Sequence, residues 1–390
     1  MLSSNKQIVC LSSHYWNDSW FRKQHFMSRF NKKGYKIAYV EPSFSILRQA
    51  EISKKEYANN KFFSSIVEKI NKNFFIIRPP RYVPFRSIPY LSRLNFLYLS
   101  LHINFVLKRL GFKDYALWIY RPEFTNGLSV FNYRKLIFDI VDDLAAYVYD
   151  NKIKYEYVKN CMRHLAKKSD LVLVTASTLF EKFKNISSNI YLVPNGYDST
   201  LFSKENVFSA LLDMKGIPPP IIGFIGTIFS FLDFELLNYV FQRNQDKSFV
   251  FIGNCEFNVQ KDWLSIVENY KNVFWLGKKN KEEIPNYIDK FDVCINPFKV
   301  DQVSRSVSPL KVFEYLAMNK PVVSVRMESL EKEKIAPLIY FASSYQDFNE
   351  KLNAALDEKH EFKKKLDYEK VDAYSWDRLF RKVFQLANNL

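Results

Sequence analysis

The sequence predicts two α/β domains, each built on a doubly wound parallel sheet with helices on both faces. Three observations lead there. Short runs rich in Val, Ile, Leu and Phe are apolar on both faces, as strands buried inside a parallel sheet must be. Helix-period segments separate successive runs and supply the crossovers that parallel neighbours need. The alternation lapses from Gly196 to Pro220, ending in Pro218-Pro219-Pro220, which fits neither a helix interior nor a central strand, and then restarts.

In chain order, KQIVCLSS (6–13) reads as a strand, 19–33 as a helix, YKIAYVEP (35–42) and FFIIRPP (74–80) as strands, and about 91–110 as a helix. YALWIY, KLIFDIVD, DLVLVTA and NIYLVPNG are further strands, with a helix over 153–168. After the lapse come IIGFIGT, SFVFIG, NVFWLG, DVCINPF and PVVSV, separated by helices near 232–244, 261–270, 281–290 and from Pro309 onward. The terminal SWDRLFRKVFQLANNL is amphipathic, with Leu379, Val383 and Leu386 on one stripe. Both halves are therefore expected to be Rossmann-like, the first over 1–200 and the second over 215–374.

The chain has 390 residues, 47% of them hydrophobic, with 36 Phe and 24 Tyr, which excludes a disordered or fibrous protein. A formal net charge of +16 points to an anionic partner: nucleic acid, a lipid surface or a phosphorylated small molecule. Cys10, Cys161, Cys255 and Cys294 lie far apart with no C-x-x-C pair, so disulfides and structural zinc are not expected. The five histidines show no metal-ligand spacing, and no metal or other cofactor is expected. No signal-like segment opens the chain and no window approaches 18 uninterrupted apolar residues, so a cytoplasmic protein is expected.

The segment SVSPLKVFEYLAMNKPVVSV (306–325) carries the most chemistry. Ser308 suits an N-cap and Pro309 the first helical position, with Asn319 and Pro321 stopping the helix. Val312, Phe313, Leu316 and Ala317 form its buried stripe, which leaves Lys311 and Glu314 together on the opposite face. A lysine in the first turn opposes the helix dipole, and a bound anion reverses that sign. Free N–H groups after Ser308 and the Lys311 ammonium would cradle a diphosphate, and Glu314 would accept hydrogen bonds from a ribose diol. An ordinary solvated Lys/Glu pair gives the same pattern.

This stretch resembles the C-terminal signature of nucleotide-sugar glycosyltransferases of the GT-B fold, and within them the bacterial envelope-polysaccharide group that includes the teichuronic acid and xanthan-type transferases. Asn296, Pro297, Phe298, Pro309, Lys311, Phe313, Glu314, Tyr315, Leu316, Ala317, Lys320, Pro321, Val322 and Val323 carry the match, with VPNGYD (193–198) at the interdomain crossover and GFIGT (223–227). The resemblance implies two domains facing a cleft and a final helix (375–390) that packs back on the first domain. It also implies a nucleotide-sugar donor, a UDP-sugar first among them, on the second domain and a lipid-linked or growing glycan acceptor on the first. The retaining members usually carry a second glutamate eight positions before the one matching Glu314; here that position is Ser306. No D-x-D occurs, so the two-aspartate metal site of the other common glycosyltransferase fold is not expected.

Glycine is scarce, nine in the chain against about 27 at average usage, so Gly223 and Gly226 at the end of a strand, followed by Thr227, suggest close approach by a phosphate; tight strand–helix packing is the alternative. Asp139, Asp142 and Asp143 fall at a strand's C-terminal end, where open α/β sheets place ligands, and their mutual repulsion would raise their pKa values. The resemblance implies an acidic cluster here, with an aspartate deprotonating the acceptor in inverting members; Asp142 and Asp143 are the candidates, and helix capping is their alternative. His14, after the first strand, either faces the ligand or is a solvated loop histidine. Between Lys69 and Lys113 there are nine Lys/Arg and no carboxylate, interleaved with aromatics. That stretch suits an anionic lipid surface on the inner face of the cell membrane, or single-stranded nucleic acid, or an ordinary buried helix.

The reading is thus an envelope-polysaccharide glycosyltransferase, inverting with an aspartate base, peripheral to the membrane and binding no nucleic acid. Its donor residues would be Gly226, Thr227, Ser308, Lys311 and Glu314. A nucleotide-sugar epimerase on the same fold, or a nucleic-acid-binding protein, are the alternatives.

Overall fold

The computed structural model describes residues 6–18, 20–44, 64–83, 88–207, 211–301 and 303–389. By its internal contacts the chain forms two compact units, Met1–Val193 with Phe380–Leu390, and Pro194–Leu379. Each holds one sheet, and both sheets are the predicted kind.

The first unit contains β1 (Gln7–Leu11), β2 (Lys36–Val40), β3 (Ile66–Asn71), β4 (Phe74–Arg78), β5 (Tyr115–Ile119), β6 (Tyr133–Ile140), β7 (Leu171–Val174) and β8 (Ile190–Leu192). They run in the order β3-β4-β2-β1-β5-β6-β7-β8. All pairings are parallel except β3 on β4, which closes the edge as a hairpin. The sequence reading missed β3 because IVEKIN alternates charge and aliphatic residues as a half-exposed edge strand does, not as a central one. The central strands β1, β5 and β7 are buried along most or all of their length, as continuous aliphatic runs require. Helices α1 (Arg22–Lys32), α2 (Pro89–Arg109), α3 (Lys152–Lys168) and α4 (Ser177–Phe183) make the crossovers.

One buried ion pair ties this unit together. Arg22, on the first turn of α1, donates its Nε to the carboxylate of Asp139 at 2.9 Å and its Nη1 to the Val193 carbonyl at 2.7 Å. Trp118 Nε1 approaches the same carboxylate at 3.3 Å, and both ionic side chains are at most 1% exposed. Asp139 therefore lies inside β6 as a structural residue; its carboxylate is taken by Arg22 and does not join Asp142 and Asp143 in the acidic cluster that the sequence suggested at the end of this strand. An aspartate buried this deeply is tolerated only because the guanidinium neutralises it and the indole satisfies a second lone pair.

The second unit contains β9 (Ile221–Ile225), β10 (Ser248–Ile252), β11 (Val273–Trp275), β12 (Val293–Asn296), β13 (Val322–Val325) and β14 (Ile339–Ala342), all parallel, in the order β11-β10-β9-β12-β13-β14. Its helices include α5 (Phe234–Arg243), α6 (Phe257–Asn269), α7 (Ile284–Lys290), α8 (Leu310–Ala317) and α9 (Tyr345–Asp357). The four-residue β14 escaped the sequence reading; its half-buried IYFA is too short to show a period. The terminal helix α10 (Trp376–Asn388) starts in this unit, and from Phe380 it belongs to the first. There Phe380 meets Phe30 of α1 edge-on at 4.9 Å, and Lys382 donates to the Leu192 carbonyl at 2.8 Å.

Removing one partner of a buried pair leaves the other uncompensated, so Asp139→Ala should destabilise the first unit by about 3–5 kcal/mol. Asp142→Ala should change stability by less than about 1 kcal/mol, since its surroundings disfavour the charge that is removed. Urea unfolding followed by tryptophan fluorescence separates the two.

Candidate functional site

Helix α8 begins one residue later than the sequence suggests. Pro309 is extended (φ −73°, ψ 111°) and occupies the cap position, so Ser308 is not the N-cap. The buried Ser308 hydroxyl instead accepts the Asn195 backbone N–H at 3.4 Å, and the Asn195 side-chain amide donates to the Ser308 carbonyl at 2.9 Å. Ser308 thereby fastens the VPNGYD turn to the entrance of α8. Asn319, with φ 57°, stops the helix as expected, since asparagine tolerates the left-handed region.

Val312, Phe313 and Leu316 are buried as the periodicity requires. Tyr315, also buried, accepts the Ile225 backbone N–H on its hydroxyl at 2.7 Å, which pins α8 to the last residue of β9. That contact fixes where Lys311, one turn earlier, can reach.

Lys311 and Glu314 lie half-buried on the face opposite the apolar stripe, as the spacing requires, and rings from other elements partly cover Lys311. Its ammonium sits 4.0 Å from the Phe224 ring centroid and 4.4 Å from that of Phe298, and a Cβ placed on Gly226 would lie 3.0 Å from Nζ. Among the described residues no acceptor takes a hydrogen bond from it. Burial lowers its pKa to about 7, opposed in part by the charge of Glu314. Glu314 is pushed up to about 7, again chiefly by burial, with Lys281 and Lys311 pulling it down and Asp198 adding to the rise. Two aromatic faces attract a cation but offer its three N–H donors no acceptor. A half-buried ammonium that no acceptor among the described residues engages, next to Gly226 at the end of a parallel strand, has donors that an anion could meet.

The two glycines of GFIGT separate into different roles. A Cβ on Gly223 would overlap the Phe291 ring, so that glycine serves packing, against the phosphate reading. Gly226 is partly exposed, with φ 147°, a conformation other residues rarely adopt, and Lys311 is its nearest neighbour. Thr227 follows it, exposed. Gly226, Lys311 and Glu314 belong to one locality; Ser308 contributes through its tie to Asn195.

In the first unit, Asp142 and Asp143 follow β6. Asp143 pairs with Lys182 of α4 at 2.6 Å. Asp142 is raised to about 6, mainly by burial; Lys23 lowers it and Asp143 adds only the smallest share. Desolvation, and not the predicted repulsion among carboxylates, sets its basicity. Lys23 was not singled out from the sequence: α1 opens on Arg-Lys-Gln-His, which reads as a solvated turn, yet all four are buried. Lys23 donates to Ser13 Oγ and His14 Nδ1, each at 2.8 Å, over the Tyr120 ring.

Lys311→Met should abolish measurable binding of inorganic pyrophosphate while raising Tm by a few degrees, because it removes a desolvated charge from an apolar socket. Calorimetric titration and thermal unfolding read the two effects, and a variant that is both less stable and still binding would contradict the assignment.

Residues 219–358 match the family model described as glycosyl transferases group 1. The chain is 26% identical over 234 residues to the putative teichuronic acid biosynthesis glycosyltransferase TuaH of Bacillus subtilis, a match that spans 58% of each protein. In fold it resembles sucrose-phosphate synthase from Thermosynechococcus elongatus, with a TM-score of 0.72 at 13% identity over 98% of both chains. It also resembles Anabaena HepE in complex with UDP and glucose, with a TM-score of 0.68 at 12% identity over 99% of this chain and 100% of that one. The match to the group 1 glycosyltransferase model thus lies within the second unit, and the two parallel sheets share the fold of those enzymes.

Proposed function

We propose that this chain transfers a sugar from a nucleoside-diphosphate donor, a UDP-sugar first among the candidates, to a hydroxyl of a lipid-linked or growing glycan in bacterial surface polysaccharide synthesis. The observation that carries the reading is the unpaired Lys311 ammonium between Phe224 and Phe298, pointing at Gly226. The kinship with TuaH supports the polysaccharide context, and the UDP and glucose bound to HepE support the donor class.

On this reading the second unit holds the donor. Lys311 and the backbone around Gly226 and Thr227 meet the diphosphate, and Glu314 accepts from the ribose diol. Lys311 then has its largest effect as the sugar–oxygen bond breaks and charge collects on the departing diphosphate. The first unit takes the acceptor. Asp142 is the base in an inverting displacement: the acceptor oxygen bonds to the anomeric carbon, its proton passes to the Asp142 carboxylate, and the nucleoside diphosphate leaves with the bond's electron pair. Two features favour Asp142 over Asp143. Its pKa near 6 suits a base working at neutral pH, whereas Asp143 is committed to Lys182. Ser306, where retaining relatives carry a glutamate, supports inversion.

The membrane reading rests on α2. Tyr90, Leu94, Leu97, Leu101 and Phe105, spaced four, three, four and four residues apart, form one stripe whose members are 37–67% exposed. Arg93, Lys108 and Arg109 accompany it; Arg86, in the same basic stretch, lies outside the described residues. Among the described residues no helix is long and apolar enough to cross a membrane. An apolar stripe among cations, with the carboxylates absent from 69–113, fits the headgroup boundary of an anionic bilayer.

Incubation with a panel of UDP- and GDP-sugars and a membrane extract, read by mass spectrometry, tests the activity; a product one sugar heavier is expected, and a donor epimer with no transfer would contradict it. Asp142→Asn should lower turnover by about 10²- to 10⁴-fold with donor affinity nearly unchanged, and the wild-type rate should rise with pH through about 6 as the carboxylate ionises. Near-normal turnover in that variant, or a product keeping the donor's anomeric configuration, would overturn the mechanism. Vesicles rich in anionic lipid should sediment the wild-type chain at low salt and release it as salt rises, while Leu97→Glu/Leu101→Glu should stay in the supernatant at both.

A further inference from the structure

Lys23 and His14 form a second unit of chemistry that the proposed reaction does not yet use. Lys23 lies on the buried face of α1 and is 2% exposed, an unusual position for a lysine, which is seldom fully buried unless it has a dedicated partner. Its ammonium donates to the Ser13 hydroxyl and to Nδ1 of His14, both at 2.8 Å, and Ser13 Oγ lies 3.0 Å from the same Nδ1. His14 is otherwise clamped by its backbone. Its carbonyl accepts from the Ser12 hydroxyl at 2.9 Å and from the Tyr39 hydroxyl at 3.0 Å, and its N–H donates to Ser12 Oγ at 3.0 Å. The ring packs against Phe21 with centroids 4.6 Å apart. The residue sits just beyond β1 at the sheet's C-terminal edge, where doubly wound sheets meet their ligands, and it is partly exposed.

An ammonium has donors and no lone pair, so the ring nitrogen it contacts must be the acceptor. A neutral imidazole with its Nδ1 lone pair occupied carries its hydrogen on Nε2. We propose that Lys23 is a positioning residue that locks His14 as the neutral Nε2–H form, a fixed hydrogen-bond donor toward an oxygen of the substrate and not a proton-transfer group. That His14 meets a substrate oxygen rests on the glycosyl-transfer reading; the fixed tautomer does not.

The surrounding charges agree. Burial and the neighbouring ammonium hold His14 far below the usual imidazole range, near 3. Lys23, lowered to about 8 by burial, is supported by the carboxylates of Asp142 and Asp139 and opposed by Arg22, so it is still protonated at neutral pH. An imidazole that is neutral throughout the working range and already holds its proton on Nε2 cannot take a proton there. The acceptor's proton is left to Asp142, and Lys23 serves both groups: it orients the histidine and lowers the carboxylate's pKa.

The test needs no substrate. In the full-length chain labelled with ¹⁵N-histidine, long-range ¹H–¹⁵N correlation, with His14→Gln to assign the signal, should show protonated Nε2 and bare Nδ1, unchanged from pH 8 to pH 5. In Lys23→Met the His14 midpoint should move upward but stay below about 6.5, because burial, the larger cause of its lowering, remains. Wild-type titration near 6.5, or a proton on Nδ1, overturns the proposal whether or not Lys23→Met folds. Its role toward substrate is read separately. His14→Phe should lower kcat/KM at least about tenfold and His14→Gln, which keeps an N–H donor, should restore it to within about threefold of wild type with the same pH profile. A glutamine variant as impaired as phenylalanine would overturn the donor role. A correct tautomer in a chain that transfers no sugar would leave the lock standing and remove the proposed function instead.

Discussion

The Lys311 ammonium lies between the rings of Phe224 and Phe298, with no hydrogen-bond acceptor among the described residues, and taking an ammonium out of water costs several kcal/mol unless an opposite charge compensates it. The features around it follow from that constraint. Tyr315 fixes α8 on the end of β9, Gly226 removes the side chain that would crowd the ammonium, and the Asn195–Ser308 contacts hold the entrance of the helix. On the proposed function, this cost is what the donor's anion offsets. A donor diphosphate would supply the missing charge, and its bonding to Lys311 would strengthen as the leaving group gains charge.

The first unit resolves the same problem differently for each acidic side chain. Asp139 is neutralised by Arg22 and becomes structural; Asp143 is neutralised at the surface by Lys182; Asp142 is left desolvated and raised to about 6. Three aspartates within five residues thus take three fates set by which cation reaches them. Lys23 belongs to the same pattern as a buried cation whose hydrogen bonds go to Ser13 and His14.

Much of this was legible in the sequence. Continuous aliphatic runs identified the central strands because burial on both faces leaves no polar position, and the helix stripe of Val312, Phe313 and Leu316 followed from a 3.6-residue period. The strands that escaped, Ile66–Asn71 and Ile339–Ala342, are an edge strand with alternating charge and a four-residue strand, where periodicity has little to act on. At the site, residue types were readable and their environments were not. The helical wheel put Lys311 with Glu314 opposite the buried stripe and left a diphosphate cradle and a solvated pair as alternatives, because it shows the helix's own stripe but not the rings of Phe224 and Phe298 arriving from β9 and from beyond β12. Ser308 looked like a cap, yet its hydroxyl answers to Asn195, more than a hundred residues away. Arg22 and Lys23 were hidden for the same reason, since what buries them comes from strands distant in sequence.

The central claim is that burial, and not sequence position, sets the state of Lys311. The most direct measurement is its own titration: ¹³Cε-labelled lysine followed by NMR from pH 5 to 11, assigned with Lys311→Arg, without and with a saturating nucleoside diphosphate. The account predicts a midpoint near 7 in the free protein. With ligand the midpoint should move upward, because an adjacent anion favours the protonated ammonium. A midpoint near the ordinary lysine value of about 10.4 in the free protein, unmoved by the nucleotide, would contradict it.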